Sequence, residues 1–208
     1  MTYTTVDLET LLAQWAAKYD VESVLERAVG RGAPPACAAL AANGTAVVAV
    51  VDDAAGVERA RAAYGVKADV RVAGKDDADL PKSDLVLVHG GPLEGAESWP
   101  DALTALGRHA TKLIVVVVDN PGAWSAQARA LMSRVTHGPN GHGGWGRTDA
   151  LAPVLWALGR VREHAFLDVP ALGLRSPKLT PHVAARHAFV VDVTPRTPQA
   201  RRRLRLST

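Results

Sequence analysis

The chain has 208 residues, enough for one domain with a substantial core but too few for two full domains. Hydrophobic residues make up 48% and aromatic residues only 5%, so the core must consist mainly of Ala, Val and Leu, as in helices packed on a parallel sheet. The net charge is only +3, which argues against a nucleic-acid partner. No apolar run approaches the roughly 20 residues that cross a bilayer, so we expect a cytoplasmic protein without a membrane partner.

The first half of the chain alternates between helical and strand patterns. Residues 8–18 place leucines and Trp15 at the i, i+3, i+4, i+7 spacing of an amphipathic helix. After it, the sequence predicts strands at 23–26, 47–51 and 70–72. Helices are predicted at 34–43, which opens on prolines and ends before Gly44, and at 57–64.

The second half continues this alternation. It predicts strands at 84–88 and 113–118 with a helix at 99–109 between them, a glycine-rich loop or lid at 136–147, a helix at 148–160, and two late strands at 164–169 and 188–193, possible partners in an antiparallel pair. Apolar runs without polar alternation indicate strands that are covered on both faces. The predicted fold class is therefore α/β, a doubly wound and mostly parallel sheet with helices on both faces.

The C-terminal end carries most of the excess positive charge. Residues 196–208 contain five arginines and no acidic residue, and without them acidic residues outnumber basic ones. We predict one domain over residues 1–195, which includes the N-terminal helix, and a basic tail over residues 196–208. The tail is expected to be a frayed solubilising terminus, with contact to an anionic partner such as nucleic acid as the alternative.

Small residues alternate after the first predicted strand. Glu26 is followed by Ala28, Gly30 and Gly32, and such residues allow backbone amides to approach a ligand closely. The helix that opens near Pro34 would point its positive end toward a bound anion. A plain strand-to-helix turn is the alternative interpretation.

Two acidic residues, Asp52 and Asp53, end the next predicted strand. Doubly wound nucleotide-binding folds hold ribose hydroxyls with a carboxylate at this place, because a carboxylate can accept two donors at once. The alternative is a solvated strand end. Pro35 stands where a dinucleotide-binding Gly-x-Gly-x-x-Gly motif needs its third glycine, and no phosphate-binding Gly-x-x-x-x-Gly-Lys-Ser loop is present, so a dehydrogenase and an ATPase are disfavoured.

These segments resemble the class I S-adenosylmethionine-dependent methyltransferases over residues 24–118. Glu26 and the small residues after it are similar to the family signature Glu-x-Gly-x-Gly-x-Gly, with Ala28 in place of the first glycine. Residues 76–81 are similar to Gly-Asp-Ala-x-Asp-Leu-Pro, although Lys75 shifts the register by one. Residues 83–89 resemble the family's Phe-Asp-Leu-Val strand, whose end faces the reactive methyl group.

The resemblance implies S-adenosylmethionine as the cofactor. The cofactor-binding residues that it implies are Glu26, Ala28, Gly30, Gly32, Asp52, Asp53, Asp76 and Asp77. Within this set, the Asp52–Asp53 pair would hold the ribose. Asp76 would contact the adenine amino group, and Asp77 would line the ring.

Residues near the later strand ends are candidates for the methyl acceptor. His89 would accept a proton from a hydroxyl or protonated amine, because histidine titrates near neutrality; alternatively it packs against the Gly90–Gly91 turn. Asp119 and Asn120 would orient the acceptor or cap a helix. His142 and Trp145 would close over the substrate as parts of a lid. We predict no metal site, since no cysteine is near and the histidine spacing fits no compact ligand pattern.

The sequence therefore predicts a methyltransferase that acts on a small-molecule acceptor by in-line methyl transfer. The alternative is a non-catalytic methyltransferase-like scaffold with weak or absent cofactor affinity, which would form a homodimer or bind a partner enzyme. A third hypothesis is RNA methylation with the arginine-rich tail as an anchor.

Overall fold

A computed structural model describes residues 7–29, 35–73, 79–90, 99–119, 148–169 and 184–194. The helices are α1 (Leu8–Lys18), α2 (Ala38–Ala42), α3 (Ala54–Tyr64), α4 (Trp99–Gly107) and α5 (Thr148–Leu158), with a short 3-10 helix at Gly65–Lys67. The strands are β1 (Ser23–Val29), β2 (Ala46–Val51), β3 (Ala68–Val72), β4 (Ser83–Gly90), β5 (Ala110–Asp119), β6 (Arg160–Leu167) and β7 (Arg186–Asp192). The predicted 136–147 loop and the basic tail lie outside these residues.

All seven strands form one sheet in the order β3-β2-β1-β4-β5-β7-β6. The first five strands in this order run parallel, whereas β7 is antiparallel to both of its neighbours, β5 and β6. The expected doubly wound, mostly parallel sheet with a late antiparallel pair is therefore confirmed.

Helices cover both faces of the sheet. One core cluster joins α1, α2 and α3 to alternate strand residues such as Val24 and Leu87, and the other joins α4 and α5 to Leu25 and Val86. Burial of each Val or Leu side chain stabilises the fold by roughly 1.5–3 kcal/mol. Because both faces of these strands are buried, their sequences are unbroken apolar runs. No helix in the described parts of the chain is both long and apolar enough to span a bilayer.

Several elements begin or end differently from the sequence-based expectation. Helix α2 begins at Ala38 and not at the prolines, because residues 35–37 are not helical and the Ala36 and Cys37 N–H groups donate to Glu26 and Tyr64. Strand β1 continues to Val29, because its last two residues, Ala28 and Val29, are still paired with β4. Helix α3 begins at Ala54, since the Asp53 side chain caps it by accepting a hydrogen bond of 2.6 Å from the Gly56 N–H. Strand β6 begins at Arg160, and its charged first half hides the strand pattern because β6 lies at the sheet edge.

The N-terminal helix is held against the edge strand β6 by one carboxylate. Glu163 accepts hydrogen bonds from Trp15 Nε1 at 3.0 Å, from Lys18 Nζ at 2.9 Å and from the Tyr19 hydroxyl at 2.7 Å. These bonds lower the pKa of Glu163 even though burial works in the opposite direction. Helix α1 is thus attached to the sheet by a specific polar anchor as well as by apolar contacts.

Candidate functional site

The strand order reverses between β1 and β4, and this point defines the candidate site. From β1 the chain proceeds outward to β2 and β3 on one side, and from β4 to β5 on the other. At their carboxyl ends Ala28 is paired with His89, and Val29 with Gly90. Ligands of doubly wound sheets bind in the crevice beside such a reversal, so Glu26, Ala28 and His89 lie where a ligand is expected.

Glu26 places a buried carboxylate at this reversal. Only 1% of the residue is exposed. Its Oε1 accepts a hydrogen bond of 2.7 Å from the Ala36 N–H and lies 2.7 Å from His89 Nε2, while Oε2 accepts the Tyr64 hydroxyl. A buried carboxylate is costly unless it is hydrogen-bonded, and these three contacts provide that compensation. Glu26 and His89 are therefore brought together, as their positions at neighbouring strand ends predict.

Tyr64 was not among the sequence-based candidates. It is the last residue of α3, and its hydroxyl also accepts a 3.2 Å hydrogen bond from the Cys37 N–H. Burial, followed by the negative charge of Glu26, raises the pKa of Tyr64 well above its ordinary value, so the phenol stays protonated and donates to Glu26. The only sequence signal was its place on the buried face of the helix, seven residues beyond Val57 and four beyond Ala60.

Cys37 contributes its backbone rather than its thiol. The side chain is fully buried. Burial, with the charges of Glu26 and Glu9 as further causes, raises the pKa of the Cys37 thiol well above its usual range. Because the thiolate is the nucleophilic form of cysteine, this residue is inert.

A small hollow, which is partly open to solvent, lies between the end of β2 and the start of α3. Three carboxylate residues line it, Glu26, Asp52 and Asp53, together with Arg59 and Gly56. A Cβ atom at Gly56 would lie only 2.9 Å from Val51 Cβ, so glycine is what allows α3 to approach β2 this closely. The acidic strand ends that the sequence analysis singled out thus border one space.

The two aspartates at the end of β2 differ in their contacts. Asp53 caps α3 through the Gly56 N–H. Asp52 places Oδ1 2.8 Å from Nη1 of Arg27, and its side chain keeps 37% of its surface exposed, against 12% for that of Arg27. Asp52 is therefore the more accessible carboxylate for a ligand, but an arginine already shares it.

The remaining candidates lie elsewhere in the chain. Asp119 is exposed at the end of β5, and its backbone lies opposite that of Arg186 in the register with β7. It is one strand beyond β4 and does not line the hollow. Ala28 is described only as part of the β1 backbone. Outside the described residues are Gly30, Gly32, Asp76, Asp77, Asn120, His142 and Trp145.

No protein-family model matches the sequence, and no curated protein matches it. Several solved structures do resemble the fold. The magnesium protoporphyrin IX methyltransferase of Synechocystis PCC 6803, with bound S-adenosylhomocysteine (SAH), gives a TM-score of 0.65 at 12% identity over 89% of this chain and 80% of its own. The N-methyltransferase NodS of Bradyrhizobium japonicum WM9 gives 0.61 at 13% identity over 90% and 94%.

A third similar structure is the O-methyltransferase TomG of Streptomyces achromogenes, in complex with S-adenosylmethionine (SAM). Its TM-score is 0.52 at 16% identity, over 90% of this chain and 79% of its own. In all three comparisons the structural similarity covers 89% or 90% of this chain rather than a single motif. Together with the strand order and the reversed β7, they show that the chain has the fold of the class I SAM-dependent methyltransferases.

Proposed function

We propose that the chain binds SAM at the strand reversal and transfers its methyl group to a small-molecule acceptor. The observation that carries the proposal is the hollow at the end of β2, where Asp52 and Asp53 stand beside the buried Glu26 in a methyltransferase fold. Among the similar structures, one holds SAH and another holds SAM. The first of these proteins is named for magnesium protoporphyrin IX, which is a small molecule.

The residues around the hollow suit a nucleoside. A carboxylate offers about four acceptor positions, so Asp52 can receive ribose hydroxyls while it keeps its contact with Arg27. We propose that the backbone near Ala28, Gly30 and Gly32 approaches the rest of the cofactor, and that Asp76 and Asp77 line the adenine.

The chain's main contribution to the reaction is positioning. SAM, when bound, supplies a methyl group that its sulfonium has already activated. The protein therefore gains most by holding the acceptor close and in line. We assign proton acceptance to His89 at the end of β4, orientation of the acceptor to Asp119 and Asn120, and closure over it to His142 and Trp145.

Calorimetry with Asp52→Ala tests the ribose contact. A carboxylate bonded to hydroxyls contributes about 1.5–3 kcal/mol, so the variant should bind SAM and SAH about tenfold to a hundredfold more weakly, without unfolding. The matched control is Asp69→Ala, which removes an exposed carboxylate that is paired with Arg71 on the edge strand β3 and should leave the affinity unchanged. Equal affinity of Asp52→Ala and the unmodified chain would remove the role from Asp52.

The Arg27–Asp52 ion pair also favours a second candidate function, a methyltransferase-like scaffold that binds cofactor weakly or not at all. In that case Arg27 has taken the place of the ribose on the carboxylate. The same calorimetry separates the two functions. Micromolar binding of SAM supports the enzyme, and no heat of binding at millimolar SAM or SAH supports the scaffold.

A further inference from the structure

The contact between His89 and Glu26 determines which ring nitrogen carries the proton. His89 Nε2 lies 2.7 Å from Glu26 Oε1, and both residues are at most 2% exposed. Glu26 also accepts the Ala36 N–H on Oε1 and the Tyr64 hydroxyl on Oε2. Because two donors already point at this carboxylate, it serves as an acceptor here, and the hydrogen on the Glu26–His89 contact is assigned to Nε2.

In the neutral imidazole the other nitrogen, Nδ1, is then the acceptor. It has no hydrogen-bond partner among the residues that the structure describes. The two nitrogens of an imidazole ring point in widely different directions, so Nδ1 is directed away from Glu26. A histidine that is held by a carboxylate on one nitrogen and free to accept a proton on the other is the arrangement by which catalytic triads fix the tautomer of their base.

Tyr64 holds the carboxylate in place. Its hydroxyl receives the Cys37 N–H at 3.2 Å and donates to Glu26, which continues the chain of hydrogen bonds to His89. This chain connects α2, α3, β1 and β4, and each bond in such a series polarises the next. Because Tyr64 reaches His89 only through Glu26, any effect that it has on the imidazole is indirect.

We infer that Glu26 and Tyr64 are positioning residues for His89, and that they hold its imidazole as the Nε2–H tautomer so that Nδ1 is the proton acceptor of the methyl transfer. The inference deepens the proposed function and rests on it for its catalytic meaning. It also extends the role of Glu26, which resemblance alone assigned to cofactor binding.

The same geometry specifies the class of acceptor. A base is useful only where the acceptor atom must lose a proton, as in a hydroxyl or a protonated amine, and it has no task with a thioether or a tertiary amine. In the reaction the acceptor's lone pair forms a bond to the methyl carbon. The carbon–sulfur bond breaks with its electron pair remaining on sulfur, and the acceptor's proton goes to His89 Nδ1.

The tautomer can be measured on the full chain without any ligand. In a protein labelled with ¹⁵N-histidine, two-bond ¹H–¹⁵N NMR spectra distinguish the two tautomers, and the signals of His89 are identified by their loss in His89→Gln. We expect Nε2–H for the unmodified chain. Glu26→Gln should convert part of the population to Nδ1–H, and Tyr64→Phe should do so to a smaller extent.

The matched control is Tyr19→Phe, which removes another tyrosine hydroxyl that donates to a carboxylate, Glu163, and should leave the His89 signals unchanged. Tyr64→Phe keeps the test available if Glu26→Gln fails to fold. Nδ1–H in the unmodified chain, or His89 signals that are the same in both variants as in the unmodified chain, would overturn the inference. Failure of SAM to bind, with the tautomers as expected, would instead count against the proposed function alone.

Discussion

Two histidines on neighbouring strands, His164 and His187, form a partly buried pair away from the strand reversal. His164 Nε2 of β6 lies 2.9 Å from His187 Nδ1 of β7, and the ring of Phe189 stacks on His164 at a centroid distance of 4.5 Å. Burial lowers the pKa of His164. Burial, followed by the neighbouring His164, lowers the pKa of His187 to about 4. His187 Nε2 has no hydrogen-bond partner in the described part of the chain, so this pair resists protonation.

The resistance to protonation predicts a loss of stability in acid. In the unfolded chain His187 takes up its proton near pH 6.5, whereas in the fold it does so only near pH 4. Between these values the unfolded state binds more protons, so stability falls as pH falls, by about 3 kcal/mol at most for this residue. Urea unfolding at pH 7.5, 6 and 5 should show a shallower pH dependence for His187→Phe than for the unmodified chain.

Phe166→Leu is the control for this effect. Phe166 packs against the same rings but carries no titratable group, so its replacement should lower the free energy of unfolding by a similar amount at each pH. If His187→Phe retains the pH slope of the unmodified chain, other groups cause the acid sensitivity.

At the scale of single elements, the connection between α5 and β6 depends on a close backbone approach. A Cβ atom at Gly159 would collide with the carbonyl oxygen of Asp192 in β7 and would lie 2.9 Å from its carbonyl carbon. Because backbone in the middle of a sheet cannot move aside cheaply, Gly159→Ala should lower the free energy of unfolding by about 2–3 kcal/mol. Thermal unfolding should show a fall of roughly 5–10 °C.

Gly107 at the end of α4 provides the matched comparison. Its added Cβ would also be too close to a neighbour, at 2.6 Å from Leu158 Cδ2, but that atom is the tip of a side chain that can rotate. Gly107→Ala should therefore cost less than about 1 kcal/mol. Equal losses in the two variants would show that β7 can shift as easily as a side chain.

The elements that the sequence predicted well are those whose burial leaves a local pattern. The apolar runs of β2 and β5 identified two central strands, because both faces of these strands are covered. The start of β6 could not be predicted, since Arg162 is there to bind Asp192 and Glu163 to bind α1, and these partners are distant in sequence. An edge strand such as β6 buries fewer apolar side chains and makes polar contacts instead, so its sequence lacks the apolar run that identifies a central strand.

The candidate site was predictable in the same unequal way. Glu26, Asp52 and His89 each end an apolar run, and parallel strands place such residues along one edge of the sheet. Tyr64 reaches this edge only because α3 packs against the sheet at a particular angle, and Arg27 contacts Asp52 only because β1 continues beyond its expected end. Both depend on tertiary structure that has no local signal.

At the scale of the whole molecule, burial is greatest in the middle of the sheet and least at β3. The apolar residues of β4 and β5 are almost completely buried, whereas β3 is an edge strand on which no residue is fully buried. Local opening of a protein begins where buried contacts are fewest. Hydrogen exchange followed by mass spectrometry should therefore show residues 68–72 exchanging well before residues 113–118; similar rates for the two segments would contradict this gradient.

The place of β7 between β5 and β6 affects how the protein can form during synthesis. β6 is made before β7, yet β7 is its only neighbour among the strands that the structure describes. While residues 186–192 are still inside the ribosome, β6 has no partner to which it can add, although β1 to β5 can already associate outside. The nascent chain must therefore hold an unpaired strand, with its aromatic face, until translation delivers the last segment that completes the sheet.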